Sequence, residues 1–158
     1  MTIDQHSRPG FAIGRTNYLF RLRIIEALRL AKSRLNPEEA WILMVLKDAD
    51  RPLPSAELND LMMRDASTLT RQLNGLADKG MIERQRDPDD GRAVNIKLTR
   101  TGRADLKKLH PHAAALRARC AAGIDPDDYA IMIDCLMKIQ GNLISPSKRK
   151  PATTVDVA

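Results

Sequence analysis

A mainly α-helical fold with one small β-hairpin is predicted by three observations. Apolar residues recur at three- and four-residue steps through most of the chain, the signature of helices buried along one face. Strict alternation is confined to residues 81–86 and 93–98, where Val94, Ile96 and Leu98 share one face and Asn95 and Lys97 the other. Between these stretches, Asp87-Pro88-Asp89-Asp90-Gly91 is dense in turn residues, so the two strands are expected to form a hairpin with an exposed tip.

The helices follow in order. Residues 13–35 carry Tyr18, Leu19, Leu22, Ile25 and Leu28 on one stripe with arginines between, an amphipathic helix. Asn36-Pro37-Glu38-Glu39 starts the next, with asparagine as cap, proline at the first helical position and Glu39 where a capping box puts its acid. Trp41, Ile42, Val45 and Leu46 are its expected buried side. Pro54 and Ser55 precede a short helix carrying Leu58 and Leu61. Asp65 caps a longer one with Leu69, Leu73 and Leu76 on its apolar stripe, closed by Lys79 and Gly80. After the hairpin, Thr99 caps a helix bearing Leu106, Leu109, Leu116 and Cys120, bent or interrupted near Pro111. Asp125-Pro126-Asp127-Asp128 opens the last, striped by Tyr129, Met132, Ile133, Leu136, Ile139 and Leu143 and ended by Pro146. Residues 1–10 and 145–158 lack periodicity and are expected to be mobile tails, the second with a basic Lys148-Arg149-Lys150 cluster.

Two short helices with a tight connection, then a hairpin, is the order of a winged helix-turn-helix, here spanning residues 36–98. Off the apolar stripe of the second short helix lie Ser67, Thr68, Thr70, Arg71 and Gln72, hydroxyls, an amide and a guanidinium suited to phosphates and base edges in a major groove. Arg92 at the hairpin tip suits a narrow minor groove, and Arg86 is assigned to the same DNA-contacting set. A formal net charge of +6 over 158 residues favours a polyanionic partner, although charge alone does not separate nucleic acid from a membrane surface. The helices at 11–35 and 99–144 exceed what one winged module needs. They are expected to bury their stripes in a homodimer, whose two-fold axis sets paired recognition helices on an inverted repeat of double-stranded DNA.

At residues 65–71 (Asp-Ala-Ser-Thr-Leu-Thr-Arg), 76–84 (Leu-Ala-Asp-Lys-Gly-Met-Ile-Glu-Arg), 87–92 (Asp-Pro-Asp-Asp-Gly-Arg) and 98–102 (Leu-Thr-Arg-Thr-Gly), the chain resembles the MarR family of bacterial transcriptional regulators. The resemblance extends over roughly residues 12–144. It implies an obligate homodimer joined through helices from both ends of the chain, operator binding, and relief of repression by a small ligand or an oxidant. It also puts Ser67, Thr68, Thr70 and Arg71 in the major groove and Arg92 in the minor groove. Asp90 becomes a structural acid of the wing, paired with Arg84 or Arg86. Where the family's wing often has an arginine this chain has Asp89, which lowers the positive charge at the tip.

For the effector, the readable signal is four of the chain's few aromatics, Phe11, Tyr18, Phe20 and Trp41, in the first two helices. With Arg15 and Arg23, Tyr18 and Trp41 form a candidate site for a planar carboxylate or aromatic compound, set against ordinary packing. Cys120 and Cys135 raise a redox-responsive regulator as an alternative, but both fall on helix faces that read as buried seams and are expected to pack as small hydrophobes. A winged-helix binding module without effector response is the other alternative. No nucleophile motif, phosphate loop or zinc spacing appears, so the expectation is no enzyme, no cofactor and no metal. No apolar run approaches the ~18 residues of a membrane helix, and nothing at the N-terminus reads as a signal peptide. A cytoplasmic repressor with no membrane partner follows.

Overall fold

The computed structural model describes residues 8–86 and 93–144. Their elements run α1 (Pro9–Leu30), α2 (Pro37–Ala49), β1 (Leu53–Pro54), α3 (Ser55–Met62), α4 (Ala66–Asp78), β2 (Ile82–Arg86), β3 (Val94–Leu98), α5 (Arg100–Ala121) and α6 (Pro126–Ile144). Two compact units divide the chain, Met1–Leu116 and Arg117–Ala158.

Capping chemistry sets the helix ends. α1 begins at Pro9, inside the segment expected to be tail, because proline suits the first helical turn where no amide donor is needed. It stops at Leu30 and not at residue 35. Ser33 N–H donates to Leu28 O (3.0 Å) and Lys32 N–H to Arg29 O (3.1 Å), a Schellman closure with Lys32 in the left-handed region at φ 51°. The capping box of α2 forms as expected, Asn36 and Glu39 each accepting the other's backbone N–H at 2.9 Å. α3 starts at Ser55 with no side-chain cap. The closure of α4 uses Gly80 at φ +66°, with Met81 N–H donating to Leu76 O at 2.9 Å.

The core of the first unit is one cluster. Ile42, Leu43 and Leu46 of α2 meet Leu58 of α3, Leu69, Leu73 and Leu76 of α4, and Ile96 and Leu98 of β3. Leu43 takes the buried place expected of Trp41, which is 49% exposed, and Val45 is only half-buried. The sheet has three antiparallel strands in the order β1-β3-β2, one more than the sequence predicted. β1 is two residues long and pairs Leu53 with Ile96 and Pro54 with Asn95, too short to show a period. β2 pairs Ile82 with Leu98, Arg84 with Ile96 and Arg86 with Val94, but only Ile82 of β2 is buried, so it is not the half-buried strand expected.

α5 is anchored where it starts. Thr99 accepts from Gly102 N–H through its hydroxyl (3.1 Å), donates that hydroxyl to Gly80 O (2.8 Å) and gives its own N–H to Met81 O (3.1 Å). The helix runs through Pro111 without interruption, contrary to expectation.

In the second unit, Asp125 caps α6 by accepting from Asp127 N–H at 2.8 Å, behind Pro126 at the first helical position. None of the described residues of α6 is buried within the chain, and Ile131, Met132, Ile133 and Met137 lie exposed. Cys120 and Cys135 are exposed as well, which corrects the buried placement read from their helical stripes. No helix among the described residues is long and apolar enough to cross a membrane.

Candidate nucleic-acid interface

α4 owes its position to both of its ends. At its N-terminus, Asp65 Oδ1 accepts from Thr68 N–H (2.8 Å) and from Ser67 Oγ (2.6 Å). These bonds, that of Ser67 first, hold the exposed Asp65 carboxyl well below the usual carboxylate range. A depressed folded pKa contributes stability that is complete above the ordinary value of 3.8 and is lost as pH falls below it. Asp65→Asn keeps an acceptor but no titrating group, so we expect acid unfolding followed by circular dichroism between about pH 5 and pH 2 to show a shallower loss of stability than the wild type. An unchanged acid profile would remove Asp65 from that transition.

The C-terminal end of α4 is held from α2. Lys79 donates to both carboxylate oxygens of buried Glu39, at 2.7 and 2.6 Å, while Glu39 also accepts from Asn36 N–H. Gly75 lets α4 approach closely, since a Cβ there would stand 3.1 Å from Glu39 Oε1.

Between these clamps the outer face of α4 is polar and open. Ser67, Thr70 and Arg71 are exposed, and Thr68 and Gln72 are half-buried. Thr70 donates its hydroxyl to Ala66 O (2.7 Å), which leaves oxygen lone pairs turned outward. The Arg71 guanidinium makes no ion pair or side-chain hydrogen bond among the described residues; Asp65 and Asp78, its possible surface partners by sequence, do not take it up. Gln72 Oε1 is buried and lacks a hydrogen-bond partner.

Of the wing, Arg86 is exposed at the outer end of β2. Arg84 donates to Asn74 Oδ1 at 2.8 Å, tying β2 to α4. Arg92, Asp89 and Asp90 lie outside the described residues, so the pairing of Asp90 with Arg84 or Arg86 does too.

Next to this face are two cavities that the sequence did not reveal. One, of about 240 Å³, is lined by Asn17, Phe20, Arg21 and Ile24 of α1, Pro37, Glu38 and Trp41 of α2, and Arg64 in the turn before α4. The other, of about 490 Å³, shares Glu38 and Arg64 and reaches Thr68, Arg71 and Gln72. Arg21 donates to Glu38 and holds its carboxyl below the usual range, with Arg64 adding to the pull. Of the four residues expected to bind a ligand, only Trp41 lines the first cavity. Arg23 pairs instead with Glu26 at 2.7 Å, Tyr18 is 60% exposed, and neither it nor Arg15 is among the lining residues. The lining positions 17, 20, 21 and 24 are one helical face. Spacing alone allowed the face of 15, 18 and 22 equally well.

A model of the MarR family matches residues 35–94. Among curated relatives, the uncharacterized HTH-type transcriptional regulator YdgJ of Bacillus subtilis is 26% identical over 114 residues, 72% of this chain and 66% of that protein. The multiple antibiotic resistance protein MarR of Salmonella typhimurium is 34% identical over 84 residues, 52% of this chain and 58% of its own. A mutant of MarR from E. coli, solved in complex with operator DNA, superposes with a TM-score of 0.76 at 25% identity over 88% of this chain and 99% of that one. Residues 35–94 therefore carry a domain of the MarR family, and the chain as a whole is similar in fold to these winged helix-turn-helix proteins.

Proposed function

We propose that the chain is a homodimeric, sequence-specific regulator that binds an inverted-repeat operator and represses nearby genes in the cytoplasm until a small aromatic carboxylate releases it. The observation that carries the reading is the outer face of α4. Ser67, Thr70 and Arg71 stand exposed on a helix clamped at both ends, and the Arg71 guanidinium has no partner among the described residues. A free guanidinium on a rigid helix loses little freedom on docking and matches guanine bidentately. That the similar E. coli protein was solved in complex with operator DNA supports DNA as the partner. Arg86 extends the interface into the wing, and Arg92 and Asp90, with Arg84, carry the wing roles that the family resemblance implies.

Dimerisation uses the apolar stripes left open on the chain. Phe11, Tyr18, Leu19 and Leu22 of α1 and the outward residues of α6 are exposed, more than a solitary soluble helix keeps in water. The effector acts by population shift, binding the dimer whose recognition helices are wrongly spaced for the operator. The first cavity, with cations set among apolar walls, is the place for it.

The test begins with selection of operator DNA from a random pool by the purified protein. We then expect Arg71→Ala to lose ~1–3 kcal/mol of affinity, roughly 5- to 150-fold, and to relax preference at two symmetric base pairs. A uniform loss across all sequences would show phosphate contact, and no selected sequence at all would refute sequence-specific regulation.

A further inference from the structure

The hydroxyl protons on the outer face of α4 both point back into the protein. Thr70 gives its hydroxyl hydrogen to Ala66 O, one turn earlier, at 2.7 Å. Ser67 gives its own to Asp65 Oδ1 at 2.6 Å. A hydroxyl carries one hydrogen, so each of these oxygens has only lone pairs left for an incoming group. Both side chains are exposed, and three residues apart they are neighbours on the helix surface. The exposed Arg71 guanidinium beside them has the opposite character, donors alone.

What such an acceptor can meet on DNA is limited. Phosphate oxygens accept and do not donate, so neither hydroxyl can bond the sugar-phosphate backbone while its internal bond holds. The Asp65 carboxylate, which also takes Thr68 N–H at 2.8 Å, sits against Ser67 and repels a phosphate there. In the major groove the donors are the exocyclic amines, adenine N6 and cytosine N4. Each base pair presents one of them, on one strand, so an acceptor distinguishes the amino base from its keto partner.

We propose that Ser67 and Thr70 are specificity-determining residues that select adenine or cytosine over guanine or thymine on the strand they face, and that their hydroxyls make no phosphate contact. Arg71 reads the complementary sign, the acceptors of a guanine. This inference rests on the DNA-binding reading above, which it deepens by assigning the class of base that each hydroxyl recognises.

The experiment uses the full-length protein and the operator it selects from a random pool. Adenine or cytosine should be enriched at a symmetric pair of positions. Thr70→Val, of the same shape but without the hydroxyl, should relax that preference, and Thr70→Ser, which keeps an acceptor, should retain it. Replacing the selected adenine by purine, or the selected cytosine by 2-pyrimidinone, removes the amine. That deletion should weaken wild-type binding roughly 2- to 12-fold more than it weakens Thr70→Val, the range of one neutral hydrogen bond. Ser67→Ala should behave likewise at a second symmetric pair, with far-UV dichroism unchanged because Asp65 still accepts from Thr68 N–H. Guanine or thymine at the positions these variants relax overturns the proposal. So does an amine deletion that weakens wild type and variant alike, or a variant that loses affinity equally for every sequence. Any of these results leaves the DNA-binding reading standing, because an operator was selected, whereas a wild-type protein that selects no sequence removes that reading and the inference with it.

Discussion

Lys79→Ala is expected to destabilise the protein by about 3 kcal/mol, lowering the thermal midpoint by roughly 6 to 12 °C for a chain of this size. Lys79 gives Glu39 two bonds, at 2.7 and 2.6 Å, and the Glu39 side chain is only 5% exposed. Taking away the ammonium leaves a buried carboxylate with one remaining donor, the Asn36 N–H, and the desolvation already incurred has no compensation. An ordinary surface pair is worth ~0–1 kcal/mol, so the size of the effect separates the two cases. Denaturant unfolding of Lys79→Ala, Glu39→Gln and the double variant measures it. The double variant should be less destabilised than the two single changes added together, since it removes both charges at once. A loss below about 1 kcal/mol in Lys79→Ala would mean that Glu39 is solvated after all. The pair also has a functional side. It fixes α4 to the N-terminus of α2, beside Glu38 and the cavity it lines, so its loss should loosen α4 as well as the fold.

Gly102→Ala should destabilise by at least ~1–2 kcal/mol, although in an exposed helix interior the same change stabilises by up to ~1 kcal/mol. A Cβ at Gly102 would sit 2.4 Å from Met81 O and 2.7 Å from Leu98 Cδ1. The first contact is backbone and no rotamer change relieves it. To make room, the first turn of α5 must lift away from the start of the sheet, which strains the Thr99 bonds to Gly80 O and Met81 O. Those bonds join the end of the recognition-helix closure to the start of α5, so misplacement there spreads to both. Chemical denaturation checks this, and an increase in stability would show that α5 enters with more room than the contacts imply.

Local physics made much of the fold legible. Asn36, Asp65, Thr99 and Asp125 cap helices because their short side chains reach free backbone amides within three residues, a rule that needs no tertiary information. The Leu69, Leu73 and Leu76 stripe and the Lys79-Gly80 closure are readable for the same reason. Where the reading failed, a distant partner decided. β1 exists because Leu53 and Pro54 find β3 more than forty residues later. Leu43 is buried and Trp41 is not because the two stand ~200° apart on α2, and only the distant neighbours decide which side of the helix faces the core.

Local caps, the order of the helices and the hairpin, the resemblance to the MarR family and the polar chemistry of the α4 face were determined by the sequence alone, since each depends on residues within a few turns of one another. Tertiary structure alone brought Arg21 of α1, Glu38 of α2 and Arg64 of the helix-turn-helix to one cavity and left Arg15, Tyr18 and Arg23 off its lining. The reason is geometric. Helical periodicity says which residues share a face, but which face turns inward depends on the packing of side chains far apart in the chain.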